Sequence, residues 1–446
     1  MNASNPSAQN DAALDQTFAT AGIFKLDGSI GRQALLHGVK AQYSPATERI
    51  YFTGQAGSSV NSSQYVLGCL RPNGTLDHDF ATNGVVQGDF IARMQSVGVS
   101  ITLLPDGKIL LIGRVISGKW LPALARFSAE GVLDPTFGTE TDNHHVVLRM
   151  PGATKDQDQD QDQDQHAATD NGDSQVFSTS AVPFAEGKIL VVHTYVATHQ
   201  ADTRAYLFLL NSDGSYDTSF NGSGYKQVIY PGDDQTHVKL RGGLIDQDGT
   251  IVVCGGLGPT PESRVPLMAR YTLKGVLVPG FGTDGFLTPP LPSDQPAEFE
   301  TVIVQPNKRL LGIGRTDDGH GLLISLESNG AFNIQFNGAK PLLTRLDNNL
   351  TSWKAGAMQP DGQIILCGST KPADEHSKGV VARFNDNGTL DTTFHGGWVG
   401  TSVDGITIFN ALIPQEDGKI LVAGFGNADS SLQGLVLRYH ANGDPL

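Results

Sequence analysis

Residues 356–397 read GAMQPDGQIILCGSTKPADEHSKGVVARFNDNGTLDTTFHGG. An apolar run ends in Pro360-Asp361-Gly362, and a second run, Ile364–Gly368, follows at once. A loop comes next, then a third run ending at Phe384, then Asn387-Gly388, then Leu390-Asp391-Thr392-Thr393-Phe394. Short apolar runs bounded by turn residues read as strands. Asp-Gly and Asn-Gly supply the positive φ that tight hairpin turns need. The stretch therefore predicts three strands, one tight hairpin and one shaped crossover.

The same sentence recurs along the chain. The crossover Phe falls at Phe18, Phe80, Phe137, Phe220, Phe281, Phe336 and Phe394, with gaps of 62, 57, 83, 61, 55 and 58 residues. The turn Gly falls at Gly74, Gly131, Gly214, Gly275, Gly330, Gly388 and Gly443. A period near 60 with several strands per unit marks a propeller or another repeat array. Three repeats depart from the pattern: Val278 replaces the crossover Asp, Asn307 replaces a turn Gly, and His193 stands where most repeats have Gly. Within repeat two, strands are expected at Val97–Leu104, Ile109–Gly113, Ala123–Phe127 and near Val146–Leu148. The first strand of a repeat carries small residues (Gly38, Gly98, Gly242, Gly356), which suits strands converging on an axis.

The chain stops at Asn442-Gly443-Asp444-Pro445-Leu446, in mid-crossover. The matching continuation, Leu14-Asp15-Gln16-Thr17-Phe18 then Gly22-Ile23-Phe24, stands near residue 1. The expected fold is thus an all-β, seven-bladed β-propeller of four-stranded blades, closed by the N-terminal strand completing the last blade. Residues 1–446 form one domain in this reading, with a disordered 1–12 and a low-complexity Asp/Gln loop insertion at 152–175.

The turn PDGKILLIG (105–113), the Ala-Arg-Phe strand ends and the G-x-L-D-x-T-F crossover resemble the delta-60 repeat family of bacteria. That resemblance implies a β-propeller and spans Leu14 to Leu446. It carries no motif that would transfer a catalytic site. No Trp-Asp dipeptide and no regular Gly-Gly doublet points to another propeller family.

Composition narrows the function. Of 446 residues, 39% are hydrophobic and 17% charged, and the net charge is 31 − 46 = −15. That sign disfavours a nucleic-acid partner. Cys69, Cys254 and Cys367 are too few for a disulfide framework. The polar start MNASNPSAQNDAALD carries no secretory signal, and no apolar run approaches the roughly 20 residues of a membrane span. A cytoplasmic protein without membrane insertion is expected, with leaderless export as the alternative.

A residue repeated at one blade position lies on a ring around the axis and cannot converge on one substrate. The crossover acids (Asp15, Asp77, Asp134, Asp217, Asp391) are therefore read as turn-formers. Arg126, Arg270, Arg383 and Arg438 are read as covers for apolar surface that pair with nearby acids. Function is expected where the repeat breaks. The Asp-Gln tract from Asp156 to Gln165 reads as a solvated loop. Ca²⁺ is its one candidate ion, although Gln161 and Ala167 stand where a Ca²⁺ loop has Gly and Glu. No other cofactor is expected. Gly113, Gly118 and Lys119 match the spacing of a phosphate loop, but Trp120 replaces its Ser or Thr. His144-His145 reads as surface.

The links between second and third strands vary in length, as do the links between blades, and both sets emerge on one face. Binding usually sits on such loops. Trp120, placed in one of them, and Trp353, entering an innermost strand, are candidate ligand contacts. His37, Arg93, Lys239, Arg241 and Glu300 are the candidate polar residues at the channel mouth. The expected function is a non-catalytic binding or interaction scaffold for a protein or carbohydrate ligand. The alternatives are a propeller hydrolase or lyase acting at the channel mouth, or a metal-dependent glycan binder.

Overall fold

The computed structural model describes residues 13–26, 28, 30–42, 48–117, 119–139, 144–151, 179–195, 203–232, 236–260, 263–292, 294–373, 375–428 and 431–441. The Asp-Gln tract and residues 1–12 lie outside these.

In chain order the strands are β1 (Ile23–Lys25), β2 (Gln33–Gln42), β3 (Arg49–Gly57), β4 (Ser63–Leu70), β5 (Val85–Gly88), β6 (Ser96–Leu103), β7 (Ile109–Ser117), β8 (Lys119–Phe127), β9 (Val146–Val147), β10 (Thr179–Pro183), β11 (Ile189–Tyr195), β12 (Arg204–Leu210), β13 (Tyr225–Val228) and β14 (His237–Ile245). They continue as β15 (Ile251–Gly258), β16 (Val265–Tyr271), β17 (Phe286–Leu287), β18 (Ala297–Val304), β19 (Leu310–Thr316), β20 (Gly321–Leu326), β21 (Leu342–Thr344), β22 (Leu350–Met358), β23 (Ile364–Lys371), β24 (Lys378–Phe384), β25 (Trp398–Thr401), β26 (Thr407–Pro414), β27 (Ile420–Ala428) and β28 (Ser431–Tyr439).

The fold is an all-β propeller with four-stranded blades. The expectation of seven separate blades is corrected: five sheets (β6–β9, β10–β13, β14–β17, β18–β21 and β22–β25) are four-stranded blades. The remaining strands make one eight-stranded sheet in the order β26-β27-β28-β2-β3-β4-β5, with β1 also pairing β28. Gln33 on β2 lies opposite Leu432 on β28 in a parallel bridge. The Gln33 side-chain oxygen accepts from the Leu432 N–H at 3.1 Å, which makes the two strand sets continuous.

The middle strands are buried on both faces, so they read as continuous apolar runs. Ile109, Leu110, Leu111 and Ile112 on β7 are all inaccessible. The core lies between neighbouring sheets: one cluster joins Leu311 and Ile313 of β19 to Ile364 and Leu366 of β23. Each crossover Phe is a wedge at such an interface, with at most 1% exposure. The Phe336 ring lies beneath the turn of the following repeat. A Cβ on Gly388 would meet that ring at 3.0 Å, and its φ of +87° also favours glycine.

The repeated charges act locally, as their repetition implies. Asp391 Oδ1 accepts from the Thr393 N–H at 3.0 Å and from its hydroxyl at 2.7 Å. Arg383 Nε donates to Asp391 Oδ2 at 2.7 Å, while Nη1 reaches the Ala441 carbonyl at 2.7 Å. The guanidinium thus ties one sheet to the next. Where Val278 replaces the acid, Arg270 pairs with Asp246 at 3.1 Å.

Candidate ligand site in the central channel

The innermost strands β2, β6, β10, β14, β18, β22 and β26 pack side by side around the axis, and β26 returns to β2. Six of them carry a bulge at one shared register. The extra residue is His37 between Leu36 and Gly38 and Val99 between Gly98 and Ser100. It is Arg241 between Leu240 and Gly242 and Glu300 between Phe299 and Thr301. It is Lys354 between Trp353 and Ala355 and Asn410 between Phe409 and Ala411. A bulge re-aims a side chain and is over-represented beside functional sites.

Glycine on the neighbouring strand makes room for each bulge. The residue before the bulge pairs with Gly54, Gly113, Gly255, Gly314, Gly368 or Gly424. A Cβ at any of these glycines would overlap the carbonyl oxygen two residues before the bulge. The chain contains its own control. In the β10–β11 pair the glycine is replaced by His193. There Thr179↔His193 and Ser180↔Val192 run on without a shift. The His193 ring is inaccessible, with Thr179 Oγ1 3.0 Å from Nδ1 and the Trp120 carbonyl 3.2 Å from Nε2.

The bulge residues meet in a network of charges. Arg241 donates to both oxygens of Glu298, from Nε at 3.2 Å and from Nη2 at 2.7 Å. Arg315 donates to Glu298 and to Glu300, each at 3.3 Å. Lys354 Nζ lies 3.1 Å from Glu300 Oε1, and Arg264 Nε 3.8 Å from Glu298 Oε2. Burial raises the Glu300 pKa, but Lys354, Arg241 and Arg315 more than offset this and hold it well below the usual range. Asn410 Nδ2 donates to the Leu36 carbonyl at 2.9 Å and stands 3.4 Å from His37 Nδ1. The Arg114 guanidinium lies 4.6 Å over the Trp120 ring.

Burial, with Arg114 nearby, pushes His37 down to about 3, so the imidazole is neutral at ordinary pH. Burial pushes Lys239 down to about 8, with Arg241 and Arg264 adding to the effect while Glu298 and Glu300 oppose it. Burial and Arg241 push Arg114 down to about 10.

Of the residues expected at the site, His37, Lys239, Arg241 and Glu300 lie on innermost strands and share this environment. Trp120 joins it through Arg114 and His193. It is not in a loop: it lies in β8, paired with Ile116 of β7. Trp353 is fully buried, its Nε1 donating to Thr344 Oγ1 at 2.9 Å, so it belongs to the core. Arg93 is exposed on the β5–β6 link. His145, expected at the surface, is 2% exposed, with Nε2 3.2 Å from the Tyr65 hydroxyl. Arg114, Glu298, Arg315, Lys354 and Asn410 escaped the sequence reading, and His193, noted there as a break in the repeat, was not read as part of the site. Aligning repeats on the second-strand glycine would have exposed the unlike residues opposite it.

Residues 104–137, 359–394 and 415–445 match the family described as "Domain of unknown function (DUF5122) beta-propeller". The match supports a propeller repeat. No curated protein matches the sequence. Among solved structures, the chain is similar to the polysaccharide lyase Uly1 at 12% identity, covering 91% of this chain and 77% of that chain, with a TM-score of 0.40. It is similar to Drosophila Semaphorin 2a at 8% identity, covering 96% and 76%, with a TM-score of 0.46. It is also similar to the Penicillium chrysogenum alpha-L-arabinanase at 14% identity, covering 76% and 91%, with a TM-score of 0.42. These likenesses concern fold alone.

Proposed function

We propose that the protein is a delta-60-type propeller acting as a non-catalytic binding scaffold, whose ligand enters the channel at the variable-loop face. One observation carries this reading. The bulge register presents six unlike side chains (His, Val, Arg, Glu, Lys and Asn) on strands packed around one axis, whereas the glycine opposite each bulge and the crossover Phe recur from repeat to repeat. Repeated side chains build a scaffold, whereas unlike side chains at one level offer a single asymmetric ligand several different contacts. A site facing the variable loops is supported by Arg264 and Asp317, on the β15–β16 and β19–β20 links, which pair at 3.0 Å and meet the network through Glu298.

The test is a glycan and peptide array followed by affinity measurement. Lys354→Ala and His37→Ala should each weaken binding at least tenfold, or about 1.4 kcal/mol, with melting temperatures within a few degrees of wild type. Wild-type affinity in both variants would remove the channel as the site. Turnover of ester, lactone or glycoside substrates, lost in His37→Ala, would replace the binding reading with a catalytic one.

A further inference from the structure

We propose that a second site, outside the channel, binds an acidic sugar in a cavity beside Arg32. This site is separate from the channel and does not depend on it.

The cavity has a volume of about 460 Å³ and lies where the β1–β2 link, the β3–β4 link and strands β4 and β5 meet. Small-molecule sites are typically roughly 300–1,000 Å³. It belongs to the eight-stranded sheet, and Arg32 directly precedes Gln33, the residue opposite Leu432 in the parallel bridge. Here the chain passes from the last repeat to the first, so the repeat is broken.

Close backbone approach builds the walls. A Cβ on Gly31 would lie 2.5 Å from the Gly57 nitrogen, and one on Gly57 would lie 2.6 Å from the Ser62 carbonyl oxygen. Neither position accepts a side chain, so both links run against the end of β3 backbone to backbone. Gln87 on β5 ties the walls together, its Nε2 donating to the Ile30 carbonyl at 2.9 Å. Ser63 and Gln95 both donate to the Val60 carbonyl and hold the β3–β4 link. The cavity is thus formed before a ligand arrives, which lowers the ordering cost of binding.

Its lining has the mixed character of a sugar. Ile30 and Ala56 give an apolar patch against which the C–H face of a ring can pack. Gln64 and Gln87 present carboxamides, and the Ser58 and Ser62 hydroxyls stand 3.0 Å apart. Carboxamides and hydroxyls both donate and accept, as sugar hydroxyls do. Arg32 adds a single guanidinium. It is exposed, and among the described residues it has no hydrogen-bond or ion-pair partner. A guanidinium fork matches a carboxylate in a two-point contact. One cation suits one carboxylate, whereas a chain of phosphates calls for a basic cluster.

Glucuronate, glucose and acetate would each be titrated into the full chain, with binding followed by saturation-transfer NMR of the ligand. Glucuronate should bind saturably, with glucose and acetate each at least threefold weaker. Arg32→Gln should bring glucuronate down to the level of glucose, and Arg32→Lys should lose less. Because Arg32 has no partner to lose, both variants should melt with the wild type. Gln64→Ala should weaken glucuronate and leave acetate unchanged. Acetate binding as tightly as glucuronate would show a bare anion contact and overturn the sugar. Glucose binding as tightly as glucuronate, undiminished binding in Arg32→Gln or Gln64→Ala, or no saturable binding of glucuronate would overturn the site. The channel reading falls separately, when the His37 and Lys354 variants keep full affinity for the array ligand.

Discussion

Replacing Gly368 by alanine should move a lysine in the channel from one strand away. A Cβ there would overlap the Ser352 carbonyl oxygen, and would lie 3.0 Å from the Ser352 carbonyl carbon and 3.1 Å from Trp353 Cα. These are backbone atoms of β22, so no side chain can turn aside. The carbonyl must retreat by roughly 1 Å, an overpacking strain of about 1–3 kcal/mol. The simplest relief is loss of the bulge, the arrangement that already exists opposite His193. Removing one residue from the register turns Lys354 to the other face of the strand. Its contact with Glu300 is then lost. The Lys354 side chain is 26% exposed, and a part-exposed pair adds about 1 kcal/mol at most. The expected total is about 1–4 kcal/mol. Gly280→Ala is the control, since a Cβ there meets nothing within 4 Å, and it should stay within about 0.5 kcal/mol of wild type. Urea unfolding of the three proteins measures the difference, and hydrogen exchange at Trp353–Ala355 reports the register. If Gly368→Ala unfolds at the same urea concentration as Gly280→Ala, the coupling of glycine to bulge is wrong.

Two further outcomes follow from the same geometry. Lys239 is about 8 in the folded protein against an ordinary 10.5, so the unfolded chain binds more protons between those values and stability rises with pH across that window. Lys239→Met should therefore stabilise the fold at pH 7 by about 3 kcal/mol, with the advantage disappearing above pH 10.5; an unchanged stability difference from pH 7 to pH 10.5 would refute the shift. Phe394→Ala should cost about 3–5 kcal/mol in calorimetry or urea unfolding by opening a cavity beneath Arg383, whose guanidinium lies 5.2 Å from the ring; a loss below about 1 kcal/mol would remove the Phe from the interface between sheets.

Some of this protein is legible in its sequence for a local reason. Alternation, Asp-Gly turns and the crossover Asp-x-Thr act over a few residues, so strand, hairpin and turn are written where they occur. Asp391 and Thr393, two residues apart, satisfy each other whatever the rest of the chain does. The repeat period then implies four-stranded blades, because each copy of the pattern buries against the next. Tertiary structure decided the rest. How many sheets stand free depended on one parallel contact, Gln33 with Leu432, far apart in the chain. His37, Arg241 and Glu300 could be named from the sequence, but Lys354, Asn410 and the register all of them share could not, because a bulge is a property of two strands in register, not of one strand's pattern. His37 and Glu300 stand out in the sequence only as polar residues in apolar strands. They acquire a shared environment only when β2, β14, β18, β22 and β26 close around one axis. Packing between sheets sent Trp353 into the core, while the pairing of β7 with β8 brought Trp120 beneath Arg114, since an aromatic residue in a strand carries no mark of the side on which its neighbour will pack.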